Sequence, residues 1–254
     1  MLDLTDVTFL IPLKIESEDR LNSIHVLLRY LLKHLNTNII ICEQGEMNNS
    51  AKFINPVWDT VKYIFHYDKN DLFHKTKLLN LMIKASKTPI IVSQDSDVFL
   101  FPHQYENAAN IIREKIAYFC YPFNEPTHHI SKGFFLQLSL VLDLKKARTK
   151  VENLNVAPGG CFFMHKQKFI QCGTENEKFI SWGPEDLERK CRILKLNNEI
   201  YSCSGKLFHL KHKRTYNSSS DHIMFQSNEA EYQKIMNMNK EQLIKYIGSW
   251  NYVS

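Results

Sequence analysis

The chain has 254 residues, 44% of them hydrophobic, and a formal net charge of +5. This length suits one large domain or two small ones with a sizeable core. No apolar run reaches about 18 residues, so the sequence predicts no transmembrane helix. The positive excess is too diffuse to indicate a nucleic-acid partner, but it suits an anionic ligand or an anionic membrane face.

The N-terminal sequence and the cysteine pattern together predict the cellular compartment of the protein. The N-terminal sequence MLDLTDVTFLIPLK lacks the basic region and the long apolar region of a signal peptide. The six cysteines are scattered and form no C-x-x-C pair, which favours free thiols over a disulfide framework or a zinc site. We therefore expect a cytoplasmic protein that can associate peripherally with the inner face of a membrane.

The first hundred residues alternate between apolar runs and amphipathic segments. Ser17 or Asp19 is placed to cap the first helix. In chain order, we predict a strand at 7–13, a helix at 20–34, strands at 38–42 and 61–66, a helix at 73–85 and a central strand at 89–92. This alternation predicts an α/β fold with a doubly wound, mostly parallel sheet. No glycine-rich fingerprint follows the first strand, so a dinucleotide-dependent dehydrogenase is disfavoured.

The second half of the chain is less regular. Predicted helices cover 104–115, 167–172, 184–196 and 229–247, and predicted strands cover 116–121, 159–165, 200–202 and 206–210. Residues 124–131 are polar and break the pattern, residues 149–158 are predicted to be a loop, and residues 211–221 are predicted to be a mobile basic segment. The apolar stretch 133–144 remains unassigned. Because neither an internal repeat nor an interdomain linker is visible, we expect a single domain.

Two carboxylates follow the central strand directly. Asp95 and Asp97 flank Ser96, and carboxylates at the end of a buried strand are costly unless a cation meets them. Ligands of open α/β sheets bind at the carboxyl ends of the strands, and Mg²⁺ and Mn²⁺ prefer carboxylate oxygens. The pair is therefore a candidate metal site, although a solvated Asp-Ser-Asp turn would give the same pattern.

A second acidic pair begins the helix predicted at 184–196. Glu185 and Asp186 lie in its first turn, where the helix dipole favours carboxylates whether or not they react. A carboxylate there could also act as a general base for an acceptor hydroxyl. Trp182 could stack on a sugar ring, and Gly183 would let the backbone approach it.

Three weaker patterns complete the candidate site. His209 and His212 could complete a metal shell begun by Asp97, although lone histidines are more often structural. The glycines of the GG pair at 159–160 form either an ordinary turn or a close approach of backbone to a ligand. Arg20 and Lys77 could meet a diphosphate, although most such residues are surface charges.

In this order, the motifs resemble those of GT-A-fold glycosyltransferases, in particular the β-1,4-galactosyltransferase family (family 7) and related family 2 enzymes. Seven segments within 7–214 carry the resemblance: FLIPLKIESEDRL, IIICEQG, FHKTKLLN, QDSDVFLFP, PGGCFFMHKQKF, FISWGPEDLERKCRILKL and FHLKHKR. It implies one GT-A (Rossmann-like) domain over 1–254, with a nucleotide-binding half (1–102), an acceptor and metal half (103–214) and a C-terminal extension (215–254). We assign the extension no counterpart in the family from the sequence.

The resemblance implies an inverting transfer of a hexose or N-acetylhexosamine from a UDP-sugar, with Mn²⁺ or Mg²⁺ as cofactor. Asp97 and His212 would be metal ligands, and His209 stands where the family has a methionine ligand. Asp186 would be the catalytic base. Glu185 would be an acceptor-binding or structural partner. The residues implied around the uridine diphosphate are Pro12, Arg20, Glu43, Lys77, Asp95, Ser96 and Asp97. Among them, Asp95 would lie nearer the ribose or a metal-bound water. The residues implied at the sugar site are Trp182, Gly183, Gly159 and Gly160.

The family's Trp-Gly-Gly has Pro184 in place of its second glycine. Inversion is an expectation, because retaining GT-A enzymes with a similar segment exist. The resemblance does not identify the donor sugar, and the acceptor is expected to be a glycan or lipid-linked saccharide of bacterial surface polysaccharide synthesis.

Two other functions would also explain the Asp-x-Asp site. One is a nucleotidyltransferase or nucleotide-sugar hydrolase that uses the same site, and the other is a non-catalytic module that binds a sugar nucleotide.

Overall fold

The predicted alternation of strands and helices is present in a computed structural model of the chain, which describes residues 1–53, 59–130, 132–145, 149–151, 158–210, 214–250 and 252. These residues form eleven strands and eight α-helices. The strands are β1 (Leu2–Leu13), β2 (Leu35–Gly45), β3 (Val61–Tyr67), β4 (Ile90–Gln94), β5 (Val98–Phe99), β6 (Phe119–Tyr121), β7 (Thr127–Ile130), β8 (Thr149–Val151), β9 (Cys161–His165), β10 (Tyr201–Ser202) and β11 (Leu207–Leu210). The helices are α1 (Glu18–His34), α2 (Lys75–Ala85), α3 (Pro102–Arg113), α4 (Lys132–Val141), α5 (Lys166–Gln171), α6 (Glu185–Lys195), α7 (Phe225–Asn237) and α8 (Lys240–Ile247).

The described strands form two sheets. The larger has the order β10-β6-β9-β4-β1-β2-β3, and the smaller has the order β5-β11-β7-β8. In the larger sheet β4, β1, β2 and β3 run parallel, and β10 is parallel to β6. Only β9 runs against its neighbours β4 and β6 within this described sheet. The prediction of an α/β fold with a mostly parallel sheet flanked by helices is therefore confirmed.

Continuous apolar segments explain why the first half was predictable. Residues 7–13 of β1 are all buried, as expected for a central strand covered on both faces. Ser17 caps α1, because its side chain accepts a hydrogen bond from the backbone N–H of Arg20. The buried stripe of α1 includes Ile24, Leu27 and Leu31. The parallel pairing of β1 with β4 brings the carboxyl ends of both strands to one edge of the sheet.

The structure adds to or corrects the predictions for five segments of the second half. The polar segment 124–131, for which no element was predicted, contains β7, and the predicted loop at 149–158 begins with β8. The unassigned stretch 133–144 is mostly α4. The single helix predicted at 229–247 is two helices, because the chain turns at Met238 and Asn239 caps α8 by accepting from the N–H of Gln242. Of the segment predicted to be mobile, 211–213 lie outside the described residues and 216–218 form a 3-10 turn.

The C-terminal extension packs as a small hydrophobic unit beside the main core. Ile235, Leu243 and Ile247 are buried together, with Trp250 packed against them. Lys195, at the end of α6, donates hydrogen bonds to the carbonyls of Ile235, Met236 and Met238. These bonds neutralise the C-terminal end of α7 and attach the extension to the helix that carries Glu185 and Asp186.

None of the helices in the described part of the chain combines the length and apolar character that crossing a bilayer requires.

Candidate active site

A cleft of about 610 Å³ opens where β1 and β4 end. This is the edge at which ligands of parallel α/β sheets bind. Its walls combine acidic, basic and aromatic side chains from distant parts of the chain. The lining residues are Pro12, Arg20, Phe73, Lys75, Asp95, Ser96, Asp97, His129, Ser181, Trp182, Gly183, Glu185, Asp186, His209, Arg214, Asn217 and Ser218.

Backbone hydrogen bonds fix the turn that carries Asp95 and Asp97. The Asp95 N–H donates to the carbonyl of Gly160 at 2.8 Å, and the Leu210 N–H donates to the carbonyl of Asp97 at 2.9 Å. The pairing of β11 with β5 sets His209 opposite Val98. As a result, His209 Nε2 lies 3.7 Å from Asp97 Oδ2.

Lys75 is the charge at the centre of the cleft. Its Nζ lies 3.3 Å from Asp95 Oδ1, 3.4 Å from Glu185 Oε1 and 3.6 Å from Asp186 Oδ2. Burial favours the neutral amine, but Asp186, Asp95 and Glu185 outweigh it and raise the pKa of Lys75 well above its usual value. One ammonium group therefore joins the two acidic pairs that the sequence singled out separately.

Sequence reasoning missed Lys75 and chose Lys77. The two lysines lie two residues apart in the segment FHKTKLLN. Residues two apart on a helix point in different directions. Lys77 does not line the cleft, and its charge adds to the effect of burial in lowering the pKa values of His66 and His74.

The environments of Glu185 and Asp186 push their pKa values apart. Burial raises the pKa of Glu185 to about 7, despite the attraction of Lys75. Burial also favours a protonated Asp186, but Lys75 and Arg189 outweigh it and hold the pKa of Asp186 below its usual value. Glu185 Oε2 is buried and has no hydrogen-bond partner among the described residues. Near neutral pH the pair thus contains one ionised carboxylate and one carboxyl group that retains a proton in part of the molecules.

The pKa of Asp95 is set by a different balance of effects from those at Glu185 and Asp186. Burial raises its pKa more than Lys75 lowers it, and the nearby Asp186 and Asp97 add to the increase. A cation bound beside Asp95 would offset this burial cost.

Arg189 orients Asp186. Its Nη2 lies 2.5 Å from Asp186 Oδ1, and its Nη1 lies 2.8 Å from Glu175 Oε1. The guanidinium group is buried and lies 5.0 Å from the ring centroid of Phe162. Sequence reasoning missed this residue, although Asp186 and Arg189 are three apart on one helix and such pairs face each other.

The two glycines before β9 allow close contacts at the cleft. A Cβ on Gly159 would lie 2.5 Å from Asp186 Oδ2. Gly160 has a φ of +94°, and a Cβ there would lie 2.9 Å from Leu207 Cδ1. The pair therefore allows β9 to begin directly against Asp186 and β11.

The C-terminal extension holds the loop that carries Trp182. The carbonyl of Trp182 accepts hydrogen bonds from His222 Nε2 at 2.6 Å and from Asn228 Nδ2 at 3.0 Å. The indole is 42% exposed and stacks on Phe225 with 5.6 Å between ring centroids. Sequence reasoning missed these supports, because they depend on the extension folding back onto α6.

Two of the predicted site residues, Glu43 and His212, are not among the described residues that line the cleft. Glu43 does not line the cleft; its buried carboxylate accepts hydrogen bonds from the N–H groups of Asn49 and Ser50 and from the hydroxyl of Tyr63. His212 falls in 211–213, outside the described residues. Pro12, Arg20, Ser96 and Gly183 do line the cleft.

The donor atoms present are compatible with a divalent cation. The carboxylate of Asp97 and the imidazole of His209 converge, and Asp95 lies two residues from Asp97. Over the described residues, no three His, Cys, Asp or Glu side chains form a cluster that could hold a metal ion by themselves. Mg²⁺ and Mn²⁺ sites commonly use one or two protein carboxylates and complete the shell with water and substrate phosphate, which suits this set.

Comparison with known proteins supports the fold alone. Neither a protein-family model nor a curated protein sequence matches the chain. Among solved structures, the chain is similar to the catalytic domain of a Drosophila β1,4-galactosyltransferase 7 in complex with xylobiose, with a TM-score of 0.56 and 13% sequence identity. The similarity covers 95% of this chain and 84% of that one. The chain therefore has a glycosyltransferase-like fold of the GT-A type.

Proposed function

We propose that the protein is an inverting glycosyltransferase that moves a hexose or N-acetylhexosamine from a UDP-sugar to a saccharide hydroxyl, with Mn²⁺ or Mg²⁺ as cofactor. One observation carries the proposal. Lys75 lies within 3.6 Å of carboxylates from both the Asp95–Asp97 turn and the Glu185–Asp186 pair. A candidate donor site and a candidate acceptor base thus share one cleft.

The donor side of the cleft is suited to a diphosphate leaving group. Asp97 and His209 would hold the divalent cation together with His212, and the cation would supply positive charge to the departing diphosphate. Arg20 and Arg214 also line the cleft and can pair with phosphate oxygens. These charges would stabilise the negative charge that develops as UDP leaves.

The acceptor side is suited to proton removal. Asp186, ionised at neutral pH, would take the proton of the acceptor hydroxyl as its oxygen attacks the anomeric carbon from the face opposite UDP. Glu185, in its protonated form, would donate a hydrogen bond to the acceptor at the wall of the cleft. Trp182 would pack against the acceptor's sugar ring.

The test is UDP release from UDP-galactose, UDP-N-acetylgalactosamine, UDP-glucose and UDP-N-acetylglucosamine, measured with Mn²⁺ and a panel of saccharide acceptors. Acceptor-dependent release with one donor is expected. Asp186→Asn should lower it by about 10²-fold or more, because the base is lost. Asp221→Asn, an exposed control, should not change it. Proton NMR of the product then reports the anomeric configuration, and retention would contradict the inverting mechanism.

The same assay separates the other functions that an Asp-x-Asp site could serve. A nucleotidyltransferase or nucleotide-sugar hydrolase would retain turnover in Asp186→Asn, and a non-catalytic module would bind a UDP-sugar without turnover. An acceptor in bacterial surface polysaccharide synthesis, including a lipid-linked saccharide, fits the proposal. Acceptor-dependent turnover only with unrelated hydroxyl compounds would contradict that role.

A further inference from the structure

Helix α4 has an exposed apolar face, and among its residues with described side chains the exposed ones carry no charge. Leu136 is 65% exposed, Leu140 is 80% exposed and Val141 is 46% exposed. Gly133 and Gln137 are the other exposed positions of this helix among the residues with described side chains. Because positions three, four and seven apart share one side of a helix, these residues form a single surface, which we call the α4 face. A surface helix of a globular protein normally places charged or polar residues there.

Cations surround the C-terminal end of α4. Arg29 donates to the carbonyl of Ser139, and Lys33 donates to the carbonyl of Val141. Lys145 is exposed just beyond the helix. Across the described residues, none of these three cations forms an ion pair within 4.0 Å. The apolar face thus has a positively charged border.

A cavity lies between that border and helix α1. Its volume is about 380 Å³, and Lys33, His34 and Lys145 contribute to its walls. Among the described residues that line the cavity, Asp143 is the single acidic one. Three basic side chains around a cavity of this size could receive a phosphate-bearing headgroup, while the adjacent leucines contact acyl chains.

We infer that the α4 face docks on an anionic lipid surface. Exposed leucines beside lysines and an arginine match both parts of such a surface, the acyl boundary and the negative headgroups. The cations have long aliphatic stems that allow the charges to reach headgroups while the leucines insert. A purely apolar protein partner would match the leucines but would leave the charged border unused.

The inference does not depend on the proposed activity, but the two are spatially compatible. Arg20 lines the active-site cleft and Lys33 lines the cavity, thirteen positions further along the same helix. At 1.5 Å per residue, the two sites are about 20 Å apart along α1. An enzyme docked through the α4 face would hold its cleft near saccharides that are attached to the same membrane.

The test is co-sedimentation of the full chain with phosphatidylcholine vesicles that contain no anionic lipid or about 30% phosphatidylglycerol. Binding is expected only with the anionic vesicles and should weaken as salt concentration rises. Leu136→Gln/Leu140→Gln and Lys33→Glu/Lys145→Glu should each reduce the partition coefficient by about tenfold or more.

Matched variants carry the same chemical changes elsewhere. Leu194→Gln/Ile244→Gln replaces two other exposed apolar residues, and Lys240→Glu/Lys245→Glu reverses two other exposed lysines. Both should bind as the unaltered chain does. No binding to anionic vesicles, or equal binding by the α4-face variants and their controls, would overturn the inference. So would a self-association, detected by analytical ultracentrifugation, that Leu136→Gln/Leu140→Gln abolishes without affecting sedimentation with vesicles.

Discussion

At the scale of single residues, the chemistry of the cleft depends on how few positive charges neutralise its buried and half-buried carboxylates. Lys75 contacts three of them, and Arg189 shares Asp186 while also holding Glu175. Removing one partner of a buried ion pair is costly, because the remaining charge stays out of water without compensation.

Replacement of Lys75 by methionine should destabilise the protein in a pH-dependent way. We expect the free energy of unfolding to fall by about 3 kcal/mol at pH 8, where Asp95 and Asp186 must remain charged without the ammonium group. The loss should be smaller at pH 5, because carboxyls with raised pKa values can take up protons. Urea denaturation of Lys75→Met, with Lys75→Arg and Lys77→Met as controls, measures the difference. Equal stability of Lys75→Met and Lys75→Arg at pH 8 would refute this explanation.

Glu185 should make stability depend on pH near neutrality. Its pKa rises from 4.5 to about 7 in the folded state, so the folded state binds this proton more tightly than the unfolded state does. That contribution to stability is complete below pH 4.5 and is lost as the pH rises through 7. Glu185→Gln lacks the titration, so its unfolding free energy should increase relative to the unaltered chain between about pH 5 and 8, by at most about 3 kcal/mol. A difference that stays constant over this range would contradict the assigned environment.

At the scale of elements, the position of α6 against β9 and α7 determines the geometry of the cleft. The start of β9 meets Asp186 at Gly159, and α7 meets the loop before α6 at Gly183 and Asn228. Neither Gly159 nor Gly183 has space for a larger side chain. Substitutions at these contacts should therefore displace the residues of the cleft rather than remove a reacting group.

Gly159→Ala should impair transfer more than donor binding. The new Cβ would lie 2.5 Å from Asp186 Oδ2, so the carboxylate would have to move from its position beside Arg189. We expect the rate of acceptor-dependent UDP release to fall by about tenfold or more, because catalytic groups tolerate little displacement. UDP affinity should change less than twofold. Gly133→Ala, where a Cβ would meet open space, is the control. A normal rate in Gly159→Ala would argue against Asp186 as the base.

Asn228→Ala should loosen the Trp182 loop. The buried amide donates to the carbonyls of Ile180 and Trp182 and accepts from the N–H of Ile180. Loss of these bonds leaves buried backbone groups unpaired, so the free energy of unfolding should fall by about 2 to 4 kcal/mol. Asn237→Ala, at an exposed position of the same helix, should be neutral within about 0.5 kcal/mol. Comparable effects of the two variants in urea denaturation would rule out the supporting role.

The elements that sequence reasoning found are those with a strong local signal. The buried runs of β1 and β4 and the apolar stripe of α1 identify themselves through composition and period. Strand β7 was missed because its sequence, THHI, is polar, although burial alternates along it. The sequence of α4 shows no clear helical period, because apolar residues cover nearly the whole circumference of the helix.

The same reasoning explains which site residues were found. Asp95, Asp97, Glu185 and Asp186 belong to short motifs at predicted element ends, and the structure brings Asp95, Glu185 and Asp186 together around one lysine. The contribution of Asn228 depends on a hydrogen bond between residues 46 positions apart in the chain. Such long-range contacts leave no mark in a single sequence.

At the scale of the whole molecule, the N-terminal half and the later elements contribute different parts of the cleft. The turn after β4 supplies Asp95 and Asp97, whereas α6 supplies Glu185 and Asp186, with Trp182 in the loop before it. The C-terminal extension fixes the Trp182 loop through His222 and Asn228. The proposed transfer reaction requires all these parts, and its donor half can be tested without knowledge of the acceptor.

The most direct measurement is calorimetric titration of the chain with UDP, with and without Mn²⁺, beside Asp97→Ala and the exposed control Asp221→Ala. The proposed donor site predicts binding that requires Mn²⁺, is lost in Asp97→Ala and is unchanged in Asp221→Ala. Absence of UDP binding with either Mn²⁺ or Mg²⁺, or equal binding by Asp97→Ala and the unaltered chain, would contradict a metal-dependent UDP-sugar site at the end of β4.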